Sequence, residues 1–207
     1  TVTNVESDEN KLLKAITIEQ VDDNFQPIEG TSKRFEVDTL LLSIGLIPDI
    51  TLLDDLSVEV DPRTKSAKIN QAYETSVPGL FICGNSLQVH DLVDNVSKES
   101  LRAGNSAADY LDDKPSMRKK VKILPSENVL YVAPQYLDFG WQFTDLIISF
   151  RVKRKIEKAL VKVYQGDNLV FKKRRAFVVP AEMETISFPY DGLNDHEDIR
   201  VEMEELS

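Results

Sequence analysis

The segment that most constrains this chain runs from Thr75 to Asn85, Thr-Ser-Val-Pro-Gly-Leu-Phe-Ile-Cys-Gly-Asn. A Pro-Gly turn leads into the apolar run Leu80-Phe81-Ile82-Cys83, and a second glycine, Gly84, closes it. An apolar run without alternation, bounded by turn signals, predicts a strand buried on both faces of an α/β sheet. In open sheets of that kind ligands sit beyond the carboxyl ends of the strands. A glycine there lets a ligand approach the backbone, and Asn85 follows with a polar group for a hydroxyl-rich chain. Downstream, residues 94–111 read as a helix, because Val96, Leu101, Ala103, Ala107, Ala108 and Leu111 follow a helical stripe. Asp94 is placed to cap it, and its first turn would present free N–H groups and a partial positive charge.

Upstream, the pattern is a β-meander. Lys11 to Gln20 and Lys33 to Asp38 alternate, separated by the turn clusters Asp22-Asp23-Asn24 and Glu29-Gly30-Thr31-Ser32. Thr39 to Ile44 is a continuous apolar run closed by Gly45 and Pro48, again predicting a doubly buried strand. A helical turn near Leu52 to Leu56 and a short hairpin, Val58–Asp61 with Ala67–Ile69, precede the central motif. After residue 112 the composition shifts to a charged, proline-containing linker. Short runs then recur at near-regular spacing: 129–132, 146–152, 159–164, 169–174, 185–188 and 199–203. Such spacing predicts an antiparallel β-sandwich, immunoglobulin-like in architecture only. Trp141, with Phe139, Phe143, Tyr131 and Tyr136, is expected in its core.

The central pieces resemble the second FAD motif of the pyridine nucleotide-disulfide oxidoreductase superfamily. That motif is Thr-x-x-Pro-Gly, an apolar strand, Gly-Asp, and a helix ending in Gly-x-x-Ala-Ala; here the helix supplies Gly104-Asn105-Ser106-Ala107-Ala108. Asp38 to Asp49 resembles the family's crossing from its NAD(P)-binding domain back to its FAD domain. The three pieces occur in the family's order, within the first half of the chain. The resemblance implies a partial two-dinucleotide-binding, Rossmann-like flavoprotein fold of α/β class, followed by an all-β domain. It implies FAD as cofactor, with NAD(P) as its partner, and cofactor contacts at Gly45, Pro48, Gly84, Asn85, Asp94, Asn95 and Val96. Gly84 and Asn85 would meet the pyrophosphate and ribityl chain, and the helix start at 94–96 the pyrimidine edge of the flavin. Asn85 stands where the family has aspartate and is a weaker acceptor for lack of charge. Ser86 to Asn95 is longer than the common form and similar to that of oxidoreductases related to opine-oxidase and cyanide-synthase subunits. No three of the eight glycines form the Gly-x-Gly-x-x-Gly phosphate loop.

Composition narrows the function classes. A net charge of −10 opposes general nucleic-acid and anionic-membrane binding. No apolar stretch is long enough to cross a bilayer, and the start, Thr1 to Val5, is no signal peptide. The single cysteine, Cys83, rules out an internal disulfide, and a cytoplasmic setting is expected. Cys83 is expected to be an inert buried thiol. His90, Asp91 and Asp94 lack a fourth ligand, so no metal is expected. The basic runs Arg151–Lys155 and Lys172–Arg175 read as a lysine-protected sheet edge or a face for an acidic partner.

The expected organisation is therefore residues 1–45 ending an NAD(P)-binding domain, 46–113 forming the C-terminal half of an FAD-binding domain, 114–121 a linker, and 122–207 the β-sandwich. The chain reads as if taken from the middle of a longer one, and as inactive alone. Its expected partners are the missing N-terminal domains or other oxidoreductase subunits. No catalytic residue is assigned. The alternative is a non-catalytic module in which the β-sandwich docks a partner subunit and the α/β part is a scaffold.

Overall fold

The first forty-five residues form a unit of their own. Val2–Ser7 (β1), Leu13–Ile18 (β2) and Lys33–Glu36 (β3) pair as an antiparallel meander. Aspartates shape its turns: Asp8 Oδ1 accepts the N–H groups of Asn10 and Leu12, and Asp22 Oδ1 those of Asn24 and Gln26. Ala15 is its fully buried residue, and the exposed Arg34 guanidinium forks onto Glu6 at 2.9 and 2.8 Å. The computed structural model describes residues 1–22, 24–43, 45–112 and 119–206. The expected strand over 39–44 is not formed among its described residues, since Leu41 is 90% and Leu42 67% exposed. A strand apolar on both faces needs neighbouring strands to hydrogen-bond it and layers to cover it, and none pairs with it here.

Residues 46–207 make the second unit. Its first part is sparse in regular structure. A 3-10 turn spans Thr51–Leu53, and the expected hairpin is reduced to a bridge between Val60 and Ala67. Ala67, Ile69, Ile82 and Leu87 form a small core. The anticipated strand at 79–84 is likewise only a bridge, Phe81 to Glu74, before Gly84–Ser86 curls into a 3-10 turn. As at 39–43, the apolar run finds no flanking strand among the described residues. The helix is present as Val93–Asp112 (α1). Its buried face is Glu99, Ala103 and Ser106, whereas Leu101 and Leu111, expected inside, are 67% and 80% exposed.

The remainder is two sheets around one apolar core. Val129–Ala133 (β5), Asp145–Val152 (β7) and Glu184–Pro189 (β10) form one, ordered β10-β7-β5. Lys120–Pro125 (β4), Tyr136–Asp138 (β6), Ile156–Gln165 (β8), Asn168–Val178 (β9) and Ile199–Glu205 (β11) form the other, ordered β6-β4-β11-β8-β9. Strict alternation drives this. On β7, Leu146, Ile148, Phe150 and Val152 point inward against Val161, Val163 and Val201 from the larger sheet. One pairing departs from the all-antiparallel expectation: β11 runs parallel to β4, which the long intervening chain permits. Of the expected linker, residues 114–118 lie outside the described residues, while Lys120 and Val121 belong to β4. Among the described residues, no helix is long and apolar enough to cross a membrane.

Within the second unit the β-rich part is locked to the segment bearing the central motif. Ile69 N–H donates to Gln135 Oε1 at 3.0 Å, and Gln71 exchanges two bonds with the Asp138 backbone at 2.6 and 2.8 Å. Trp141 is not in the two-sheet core. It packs edge-on against Phe81 and stacks on Tyr110, while its indole N–H donates to buried Glu74 at 3.3 Å. An indole brings a polar handle that a purely apolar core cannot satisfy, and the Glu74 carboxylate supplies the acceptor.

Candidate functional site

Gly84 stands at φ +67°, buried, and a Cβ there would lie 3.4 Å from Val96 Cγ1 in the first turn of α1. The positive φ is what selects glycine, and the close approach of Val96 ties the motif's end to the helix start. Asn85 follows, exposed, and its Oδ1 accepts the His90 N–H at 3.2 Å, closing the loop between them. That leaves one lone pair on Oδ1 and the amide nitrogen for anything outside the loop.

Glu99 organises this loop from beneath. Its Oε1 accepts the Gly84 N–H at 2.6 Å and faces His90 Nε2 at 3.0 Å, while Oε2 accepts Gln88 Nε2 at 3.1 Å. The Glu99 and His90 side chains are only 6% and 3% exposed. A buried carboxylate is tolerable because donors surround it. From the other side Arg151 on β7 donates to the Val89 carbonyl at 3.0 Å and pairs with Asp91 at 2.7 Å, and Asp91 also accepts the Met183 N–H at 2.7 Å. Asp91 is thus a structural ion-pair partner. Among the described residues no group of three or more potential metal ligands gathers.

Of the residues expected at a cofactor, Gly84 and Val96 come together, with Asn85 beside them. Asn95 faces a cleft with Lys98 and Glu99. Asp94 is exposed inside the first turn, one residue after the helix start, and so does not cap it. Pro48 lines a small hollow under the same loop, with Val89 and Arg151. Gly45 belongs to the first unit, at φ +84° with open space around it. Sequence reasoning missed Glu99, Gln88 and Arg151. The signal for Glu99 was its place in the series 95, 99, 102, 106, which marks one helical face. Cys83 is half-buried, its Sγ 3.6 Å from Ser100 Oγ.

The geometry offers a glycine step free of side-chain bulk, an exposed amide and an exposed helix N-terminal turn on one edge. Glycine backbone, an amide and a helix N-terminal turn are groups suited to hydroxyl-rich or electron-rich ligands; no phosphate-gripping loop is among these residues. Residues 3–100 match the family model described as pyridine nucleotide-disulphide oxidoreductase. The glutamate synthase (NADPH) small chain of Mycobacterium tuberculosis strain H37Rv is 30% identical over 112 residues, which cover 53% of this chain and 23% of that relative. The dihydrolipoyl dehydrogenase of Mycoplasma pneumoniae is 24% identical over 175 residues, covering 82% of this chain and 36% of the relative. Over these stretches the chain is similar to pyridine nucleotide-disulphide oxidoreductases. The chain corresponds to well under half the length of each of these relatives.

Proposed function

We propose that this chain is the flavin-closing, C-terminal portion of an FAD- and NAD(P)-dependent oxidoreductase, with a β-sandwich module appended. The observation that carries the reading is the Gly84-Asn85 step at positive φ, seated against the first turn of α1. FAD, when bound, supplies hydride transfer; the protein's part is to bind, orient and tune it. Gly84 gives the ribityl chain room against the backbone. Asn85 offers its amide to a hydroxyl. The first turn of α1 directs the positive end of the helix dipole toward the pyrimidine edge, where negative charge collects on reduction. The exposed Asp94 carboxylate partly offsets that positive field. Glu99 is a positioning residue, holding Gly84 and the loop through His90 in register with the helix.

The 207 residues contain no Gly-x-Gly-x-x-Gly loop, so the chain alone has half a grip on the cofactor. It is expected to purify colourless, to bind added FAD weakly and not to turn over a nicotinamide substrate. A visible-absorbance spectrum and an FAD fluorescence titration test this. A yellow preparation carrying stoichiometric FAD would overturn the half-site reading.

A further inference from the structure

The helix α1 and the outward face of the β10-β7-β5 sheet enclose a cleft that meets the flavin reading only at Asn95 and Glu99. On the sheet, pairing sets Ser149 beside Thr185 and Ile147 beside Ser187, all on the face away from the two-sheet core. The Ser149 and Thr185 hydroxyls lie 3.3 Å apart. On the helix, Asn95, Lys98, Glu99 and Arg102 share the facing side, at the spacing of successive turns. The space between has a cavity volume of about 230 Å³. It adjoins a second of about 220 Å³, with which it shares Tyr73, Arg102, Ile147 and Ser149.

An interface that served only to pack helix on sheet would be apolar and filled. This one is polar on both walls and open. Its charge is also unusual for a chain of net −10, because neither Lys98 nor Arg102 makes an ion pair among the described residues. The one carboxylate on the helix wall, Glu99, is already committed to Gly84, Gln88 and His90. Asp145 is an exposed acid at the far edge of the adjoining cavity. Two buried polar atoms at the walls, His90 Nδ1 and Gln88 Oε1, have no hydrogen-bond partner. Tyr73 turns its phenol toward Arg102; burial pushes that phenol up to about 12, so it stays a neutral donor.

We infer that this cleft binds a small oxyanion, a carboxylate or phosphate group, between Lys98 and Arg102 on the helix and the Ser149, Thr185 and Ser187 hydroxyls on the sheet. The planar guanidinium and the ammonium supply charge, and the hydroxyls and the Asn95 amide supply direction. Ile147 gives the cleft an apolar stretch of wall. The site borders the flavin half-site at Asn95 and Glu99, and its charged and hydroxyl groups, Lys98, Arg102, Ser149, Thr185 and Ser187, lie outside it, so it is testable on the 207-residue chain.

The test is two-dimensional amide NMR of that chain, titrated separately with inorganic phosphate, with succinate and, at matched ionic strength, with sodium chloride. Saturable shifts are expected at residues 95–102, Ser149, Thr185 and Ser187 with phosphate or succinate and not with chloride. The tighter of the two identifies the anion class. Lys98→Gln and Arg102→Gln should each weaken binding on the order of tenfold, the loss of a charge-assisted contact. Ser187→Ala, at an exposed strand position, should weaken it less while leaving the spectrum dispersed. A cleft holding only water would show no saturation with either anion, and that result overturns the proposal. So would shifts confined to the basic strand at Lys172–Arg175, or unchanged affinity in the well-folded Lys98 and Arg102 variants.

Discussion

Truncating Glu99 to alanine should damage this protein more than any apolar truncation on α1. The side chain is 6% exposed and faces three donors: the Gly84 N–H at 2.6 Å, Gln88 Nε2 at 3.1 Å and His90 Nε2 at 3.0 Å. Glu99→Ala leaves all three buried without their acceptor. Each orphaned buried donor costs about 1–3 kcal/mol. Local relaxation of the 84–90 loop places the net loss at about 3–5 kcal/mol. Glu99→Gln keeps the shape and one acceptor oxygen for Gly84 and His90; its amide nitrogen meets Gln88, whose own amide can turn to accept. Its cost should be about 1–2 kcal/mol. Urea unfolding followed by the fluorescence of Trp141, the sole tryptophan, reads both variants, and amide exchange at Gly84 reports the local contact. A Glu99→Ala protein within about 1 kcal/mol of wild type, or a Gln variant as damaged as the Ala variant, would refute the claim that this carboxylate holds the loop.

Two further outcomes follow from the packing. Gly79 has φ +79°, and a Cβ would sit 3.0 Å from Tyr110 Cε1, so Gly79→Ala should cost about 1–3 kcal/mol in the same unfolding assay, with an altered tyrosine environment in near-ultraviolet circular dichroism. Burial, reinforced by Glu99, pushes the Tyr73 phenol up to about 12 from an ordinary value of 10.0. The folded state therefore binds that proton more tightly than the unfolded state. The associated stability is fully present below about pH 10 and is lost as pH rises toward 12, by at most roughly 2–3 kcal/mol. Tyr73→Phe should flatten that alkaline decline, and an unchanged slope would count against it.

Much of the β-rich part was legible in the sequence because alternation is a local signal. The runs at 146–152, 159–164 and 185–188 each lie within a strand that buries every second residue. β4 was missed because its two buried residues, Val121 and Ile123, are interleaved with Lys120 and Lys122 and read as part of a charged linker. β6 is three residues long, too short for alternation to show, and its role lies in non-local partners: β4, Gln71 and the parallel bridge to Asn70. The apolar runs at 39–44 and 79–84 misled for one reason. Double burial is a property of the sheet around a strand, and a run of leucines does not carry its neighbours with it. The site was half readable. Glycine at a positive φ leaves a mark in the sequence; for Glu99 the helical spacing marks only the face it lies on, and its partners nine to fifteen positions away are not readable.

The central claim, that the Gly84-Asn85 step faces a flavin, is tested most directly by the flavin content of the gene's full translation product purified as wild type, Asn85→Asp and Asn85→Lys. Asn85→Asp keeps an acceptor for the His90 N–H and supplies the family's carboxylate, so it should retain FAD at the wild-type level or above. Asn85→Lys places a long cation on the ribityl path and should purify without flavin while remaining folded by circular dichroism. Full FAD occupancy in the lysine variant, or none in the wild type, would contradict the account.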